Sequence, residues 1–319
     1  MADTTRPGAL SQVAGLSEPA LWDITIPALL DRAAAERPAA EAAVFADRGL
    51  RWTWAEFAAA VDRLATGLLD LGVRKGDRVG IWSPNRPEWL LSQFATARIG
   101  AILVTVNPAY RVAELDYALR KVGVSVLILA PAFKTSDYLA MIGQVVPELG
   151  GSRPGALRSA ALPDLRAVVR MGPGDSAGIL AFDPLAATPP DPRRLDAATA
   201  TLSPADPINI QFTSGTTGLP KGATLTHRNI VNNARFTTAT MRFNPADRLC
   251  IPVPLYHSSA WSWARSAVWP RARPWSFRAR ASTLWPPFRP WNRSAARRFT
   301  ACRRCSLPCS TIPTSPAST

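Results

Sequence analysis

Nothing in this 319-residue sequence stays apolar long enough to cross a bilayer. The longest strongly apolar run is VSVLILA at 124–130, where a spanning helix needs about 20 residues. The N-terminal stretch MADTTRPGALSQVAGLSEPA has no apolar h-region, so no secretory signal is expected. Cysteine is scarce: four residues do not make a disulfide scaffold, and they point to a reducing compartment, the cytoplasm. There is no internal repeat and no heptad pattern. Acidic residues are few beside basic ones, 23 against 37, and the net charge of +14 hints at a polyanion partner. That excess is local. Residues 258–319 hold eleven Arg and no Lys, Asp or Glu, which leaves only +3 for residues 1–257. A nucleic-acid partner for the whole chain is therefore not expected.

What is present is ample apolar content, 47%, enough for a sizeable core in one large or two smaller domains. From 21 to 147 helical and strand patterns alternate. RWTWAEFAAAVDRLATGLLDLG (51–72) opens on a Thr53–Glu56 capping box, carries Phe57, Val61, Leu64, Leu68 and Leu71 at helical spacing, and stops at Gly72. RVGIW (78–82) reads as a buried strand, 86–100 as a helix and 101–108 as a strand. Residues 112–123 read as a helix, 124–130 as a second buried strand and 134–146 as a helix. Strands alternating with helices predict an α/β fold with parallel sheet covered on both faces. Residues 147–206, rich in Pro, Gly, Ala and Asp, read as mostly irregular connection with one strand at 164–171.

The densest chemistry lies in TSGTTGLPKGATLTH (213–227), between the predicted strands INIQFT (208–213) and GATLT (222–226). Gly215 and Gly218 permit torsions closed to other residues and close approach of a ligand. Thr213, Ser214, Thr216 and Thr217 bring hydroxyls, the loop brings amide donors, and Lys221 adds a point charge; all suit phosphate oxygens. A Walker A loop is disfavoured: counted from Gly215, the second glycine is replaced by Pro220, and Lys221 is followed by Gly222 instead of Ser or Thr. A ligand-free turn so dense in hydroxyls is the bland alternative. Thr226 is a plausible N-cap for a helix beginning HRNIVNNA, though no Glu follows at its third position. His227 at that helix start reads as structural. His257, in PLYH (254–257), reads on its residues alone as a hydrogen-bonded core histidine.

TSGTTGLPKGATLTHRNI is similar to the phosphate-binding signature of the adenylate-forming superfamily, which includes acyl-CoA synthetases, peptide-synthetase adenylation domains and luciferases. RWTWAEFAAAVDRLATGLLDLGVRKGDRVGIWSPNRPEW and ARIGAILVTVNPAYRVAELDYAL resemble the upstream part of the same family, and PLYH resembles its motif downstream of the loop. The resemblance covers about 22–257, and TLTHRNIVNNA looks most like fatty-acyl-CoA synthetases of the medium-chain type. It implies an acid–CoA ligase that activates a carboxylate, in this case a fatty acid, with ATP to an acyl-adenylate and passes the acyl group to coenzyme A. It implies ATP, Mg²⁺ and coenzyme A as cofactors and co-substrate. Thr213, Ser214, Gly215, Thr216, Thr217, Gly218 and Lys221 match the family's nucleotide loop, and His257 matches its active-site histidine. No residue is assigned to a metal. An aryl-acid ligase, an adenylation domain, or a non-catalytic nucleotide- or nucleic-acid-binding remnant are the alternatives.

After His257 the text changes. Of the 62 residues 258–319, 46 are Arg, Pro, Ala, Ser or Trp, and no helical or strand period is sustained. An out-of-frame translation of a GC-rich gene accounts together for the border, the composition and the end. An Arg/Trp segment for nucleic acid or for membranes accounts for less. Cys302, Cys305 and Cys309 lack the fourth ligand of a structural zinc site. The organisation expected is a leader at 1–20, an incomplete N-terminal domain of the adenylate-forming fold at 21–257, and a tail at 258–319 without regular structure. The later family motifs, an aromatic-Gly-x-Thr-Glu segment and a C-terminal domain with its lysine, are not found. The isolated chain is therefore expected to be inactive as a ligase.

Overall fold

The computed structural model describes residues 18–213, 218–242, 249–251, 253–257 and a strand at 275–277. Its centre is a seven-stranded sheet in the order β11-β10-β4-β3-β5-β8-β9. The strands are β3 (Arg78–Trp82), β4 (Ile102–Val106), β5 (Val124–Leu129), β8 (Ala167–Arg170), β9 (Leu180–Ala181), β10 (Pro207–Thr213) and β11 (Lys221–Thr226). All neighbouring pairs run parallel except β10 with β11. The Val/Ile/Leu runs of β4 and β5 are buried along their whole length, as central parallel strands covered on both faces must be.

One face packs against α1 (Ile26–Glu36), α2 (Trp54–Asp70) and α3 (Pro87–Arg98). The other packs against α4 (Val112–Val122) and α5 (Tyr138–Val145). Helix α2 starts where its capping box lies: Thr53 Oγ1 accepts the Glu56 amide at 3.2 Å, and Glu56 Oε2 accepts the Thr53 amide at 2.8 Å. Its Phe57 is fully buried edge-on to Phe94 of α3, with ring centres 5.1 Å apart. Truncating such a side chain to alanine removes roughly 3–5 kcal/mol.

A second sheet, in the order β12-β13-β1-β2, comprises β1 (Glu41–Phe45), β2 (Leu50–Thr53), β12 (Leu249–Cys250) and β13 (Trp275–Phe277). The tail expected to lack regular structure thus places three residues as a parallel strand between β1 and β12. The ladder groups left open along one edge of β1 supply the pairing. The rest of the tail, and residues 1–17, lie outside the described residues.

Two other expectations are corrected. The stretch 147–206 holds α6 (Phe182–Ala186), α7 (Pro192–Ala200) and β9 in addition to the expected strand. Helix α7 starts at Asp191-Pro192, a pair that reads as a turn but also serves as N-cap and first helical residue; Asp191 Oδ1 accepts the Arg194 amide at 3.1 Å. The helix expected from 134 begins at 138, because a short hairpin, β6 (Ala132–Phe133) with β7 (Ser136–Asp137), precedes it and Asp137 caps it.

The connection leaving β3 crosses one face through α3, and the connection leaving β4 crosses the other through α4. The carboxyl ends of β3 and β4 therefore flank a topological switch point, the place where open α/β sheets bind ligands.

Candidate active site

Strands β10 and β11 form the antiparallel hairpin expected around the glycine-rich loop, and they set Thr213 directly opposite Lys221. Thr213 Oγ1 donates to the Lys221 carbonyl at 3.4 Å, and both residues are exposed. Ser214, Gly215, Thr216 and Thr217 lie outside the described residues. Gly218 has φ +144°, a torsion that favours glycine, and among the described residues, its chain neighbours aside, no heavy atom lies within 4 Å of where a Cβ would stand. The described part of the hairpin thus presents a hydroxyl and an ammonium at its exposed end. That is a donor set suited to phosphate oxygens. The returning strand is anchored from outside the hairpin: the Tyr117 hydroxyl of α4 donates to the Pro220 carbonyl at 3.1 Å.

The segment carrying His257 lies on the same end of the sheet. Thr105, at the carboxyl end of β4, is the register partner of Gln211 on β10. Its hydroxyl sits 3.2 Å from the Tyr256 carbonyl and 3.4 Å from the Ile210 carbonyl. Asn85, just beyond β3, bonds the backbone of Val253 and Leu255. The His257 amide closes a turn on the Pro254 carbonyl at 3.1 Å, and the imidazole is exposed, edge-on to Tyr256 at 6.4 Å. The core-histidine reading of His257 is thereby overturned, because the segment carries it out over the strand ends. His227, in contrast, is fully buried, and its Nδ1 accepts the Ile26 amide at 3.1 Å, a structural role. The helix it begins, α8 (His227–Thr240), has the reciprocal cap that seemed to lack a partner. Asn229 Oδ1 takes the place of the missing glutamate and accepts the Thr226 amide at 3.0 Å.

Aromatic side chains line this end of the sheet. Burial pushes the Tyr110 phenol above its ordinary pKa, helped by Glu114, Tyr256 and Tyr117, and burial does the same to Tyr256. Their hydroxyls remain protonated at neutral pH. Tyr138 stacks on Trp82 at 3.6 Å and donates to the Pro108 carbonyl at 2.5 Å. Among the described residues no group of three or more His, Cys, Asp or Glu could hold a metal ion. Asn85, Thr105, Tyr110 and Tyr117 carry no local motif, and sequence reasoning missed them; they meet the loop or the His257 segment only through the fold.

The family model for AMP-binding enzymes matches residues 30–269, three-quarters of the chain. The chain belongs to the AMP-binding enzyme family. The match takes in the hairpin and runs past His257. Among curated relatives, the zebrafish (Danio rerio) medium-chain acyl-CoA ligase ACSF2, mitochondrial, is 45% identical over 250 residues, covering 77% of this chain and 41% of the relative. The Rattus norvegicus protein of the same name is 44% identical over 268 residues, covering 81% and 43%. The chain thus spans somewhat over two-fifths of the length of these relatives. Among solved structures, the N-terminal domain of FACL13 from Mycobacterium tuberculosis has a TM-score of 0.61 at 25% identity, covering 79% of this chain and 56% of that one. MbtA of Mycobacterium smegmatis has a TM-score of 0.67 at 27% identity, covering 81% and 44%. These neighbours carry the mixed α/β domain described above, and no helix among the described residues is long and apolar enough to cross a membrane.

Proposed function

We propose that this chain is the nucleotide-loop portion of an acyl-CoA synthetase, an AMP-forming acid–CoA ligase that uses ATP with Mg²⁺, a fatty acid and coenzyme A. The observation that carries the reading is the β10–β11 hairpin, which sets the exposed Thr213 and Lys221 opposite each other at the two ends of the glycine-rich loop. In that reading, loop amides and hydroxyls from 213–218 hold the phosphate chain, and Lys221 offsets its charge. Mg²⁺ bound with the nucleotide would supply further charge neutralisation. His257, exposed at the same strand ends, is assigned in this reading to the reacting carboxylate. The names of the relatives in zebrafish and rat favour a medium-chain acid. A cytoplasmic setting, supported by the low cysteine content, belongs to the same proposal.

In the same proposal, these 319 residues by themselves bind MgATP without completing acyl transfer. The test is a titration of the purified chain with MgATP, alongside a pyrophosphate-exchange assay with octanoate. Saturable binding that depends on Lys221 supports the nucleotide reading, and no binding at millimolar MgATP overturns it. Octanoate-dependent exchange above background overturns the inactivity of the isolated chain. Uptake of an aromatic acid in preference to octanoate favours the aryl-acid alternative.

A further inference from the structure

We propose that Asn85 is a positioning residue that sets His257 over the switch point between β3 and β4. As a matter of function this rests on the ligase reading above; as a matter of geometry it does not. Asn85 stands in the turn between β3 and α3. Its amide uses both of its functions on one stretch of backbone: Nδ2 donates to the Val253 carbonyl at 2.9 Å, and Oδ1 accepts the Leu255 amide at 2.6 Å. The side chain so imitates a rung of β-ladder across 168 and 170 residues of sequence. No other side chain of this length offers a donor and an acceptor in that arrangement. Aspartate presents only acceptors, and one would oppose the Val253 carbonyl.

The burial of Ile251 and Leu255 holds the segment to the sheet, but apolar contact is non-directional and does not fix rotation about the chain. Rotation is fixed by directional bonds. Within 253–257 such bonds include the Asn85 pair, Thr105 to the Tyr256 carbonyl, and the segment's own Pro254–His257 turn. The last is local and moves with the segment. Asn85 and Thr105 therefore tie the backbone that carries His257 to the strand ends, and Asn85 contributes two of these three bonds.

The chain contains only two histidines, so histidine-selective labelling gives two imidazole signals in a magnetic resonance spectrum. The buried His227 reports the integrity of the fold, and the exposed His257 reports the segment. In Asn85→Ala the His257 signal is expected to move to the narrow position of an unstructured histidine and to lose its MgATP-plus-octanoate shift, with the His227 signal unchanged. Asn85→Asp, which keeps the acceptor for Leu255 and loses the donor to Val253, should lie between that variant and the wild type. A His257 signal in Asn85→Ala identical to that of the wild type overturns the assignment. If Asn85→Ala loses the His227 signal, Asn85→Asp decides by the same criterion, and loss of His227 there too makes Asn85 a determinant of the whole fold, which also overturns it. A wild-type His257 signal that does not respond to MgATP and octanoate counts against the ligase reading alone, because the anchor is read from the ligand-free spectra.

Discussion

The Thr105 hydroxyl lies 3.2 Å from the carbonyl oxygen of Tyr256, joining residues 151 positions apart at the carboxyl end of β4. Valine has nearly the shape of threonine and lacks the donor. Thr105→Val should lower stability by about 1 kcal/mol, the net value of one such bond. The urea midpoint should fall at unchanged slope, since the surface exposed on unfolding is the same. An unchanged midpoint would mean that the Tyr256 carbonyl finds another donor and that Thr105 does not hold the segment.

Lys221 is exposed at the hairpin rim and opposite Thr213. Lys221→Met should leave stability within about 0.5 kcal/mol of the wild type, as surface replacements usually do. MgATP affinity should fall roughly 10- to 100-fold, because hydrogen bonds to charged groups contribute about 1.5–3 kcal/mol. Titration with a fluorescent ATP analogue measures the affinity, and a urea melt of the same sample measures the stability. Equal loss of both would indicate a structural lysine.

Tyr117 reaches the same loop from behind, through the Pro220 carbonyl at 3.1 Å. Tyr117→Phe keeps the ring and removes the bond. MgATP affinity should weaken by roughly 3- to 10-fold, the equivalent of one neutral hydrogen bond. In the double variant with Lys221→Met the loss should be smaller than the sum of the two single losses, because both act on one hairpin. Strict additivity would show that Tyr117 does not orient the lysine.

The contrast between what the sequence exposes and what it hides follows from range. Thr53 with Glu56, the buried run of β5 and the Thr226 cap of α8 are set by neighbours within a few residues, and their positions could be read directly. The hairpin around the glycine-rich loop was legible for the same reason. Local text misled where one pattern serves two structures: Asp191-Pro192 marks turns as well as helix starts, and Asn229 closes a cap in which Glu is the expected residue. The supports of the site were not legible. Asn85, Thr105 and Tyr117 bond backbone atoms more than a hundred residues away, and backbone acceptors leave no mark on composition or spacing. His257 differs again. Its residue type and neighbours fit a core histidine, and only the course of the segment across the strand ends brings it to the surface.

Acid stability offers a test with a definite sign. Burial raises the Glu88 carboxyl, but the bonds and charge of Arg86, 2.8 Å away, outweigh it and hold the group below its ordinary 4.5. A depressed folded-state pKa stabilises above the unfolded value, and that stabilisation is lost as the pH falls through the folded value. At Asp62 the balance reverses: burial outweighs Arg98 and raises the carboxyl above 3.8. Its contribution is present at low pH and lost as the pH rises through the raised value. Urea melts between pH 3 and 7 should therefore show Glu88→Gln less stable than the wild type at pH 7, by roughly 1.5–3 kcal/mol, with the gap closing below pH 4.5. Asp62→Asn should show the opposite tilt, gaining on the wild type as the pH rises. A gap for Glu88→Gln that stays constant down to pH 3 would mean that the charge on Glu88 plays no part and that the loss comes from packing around α3.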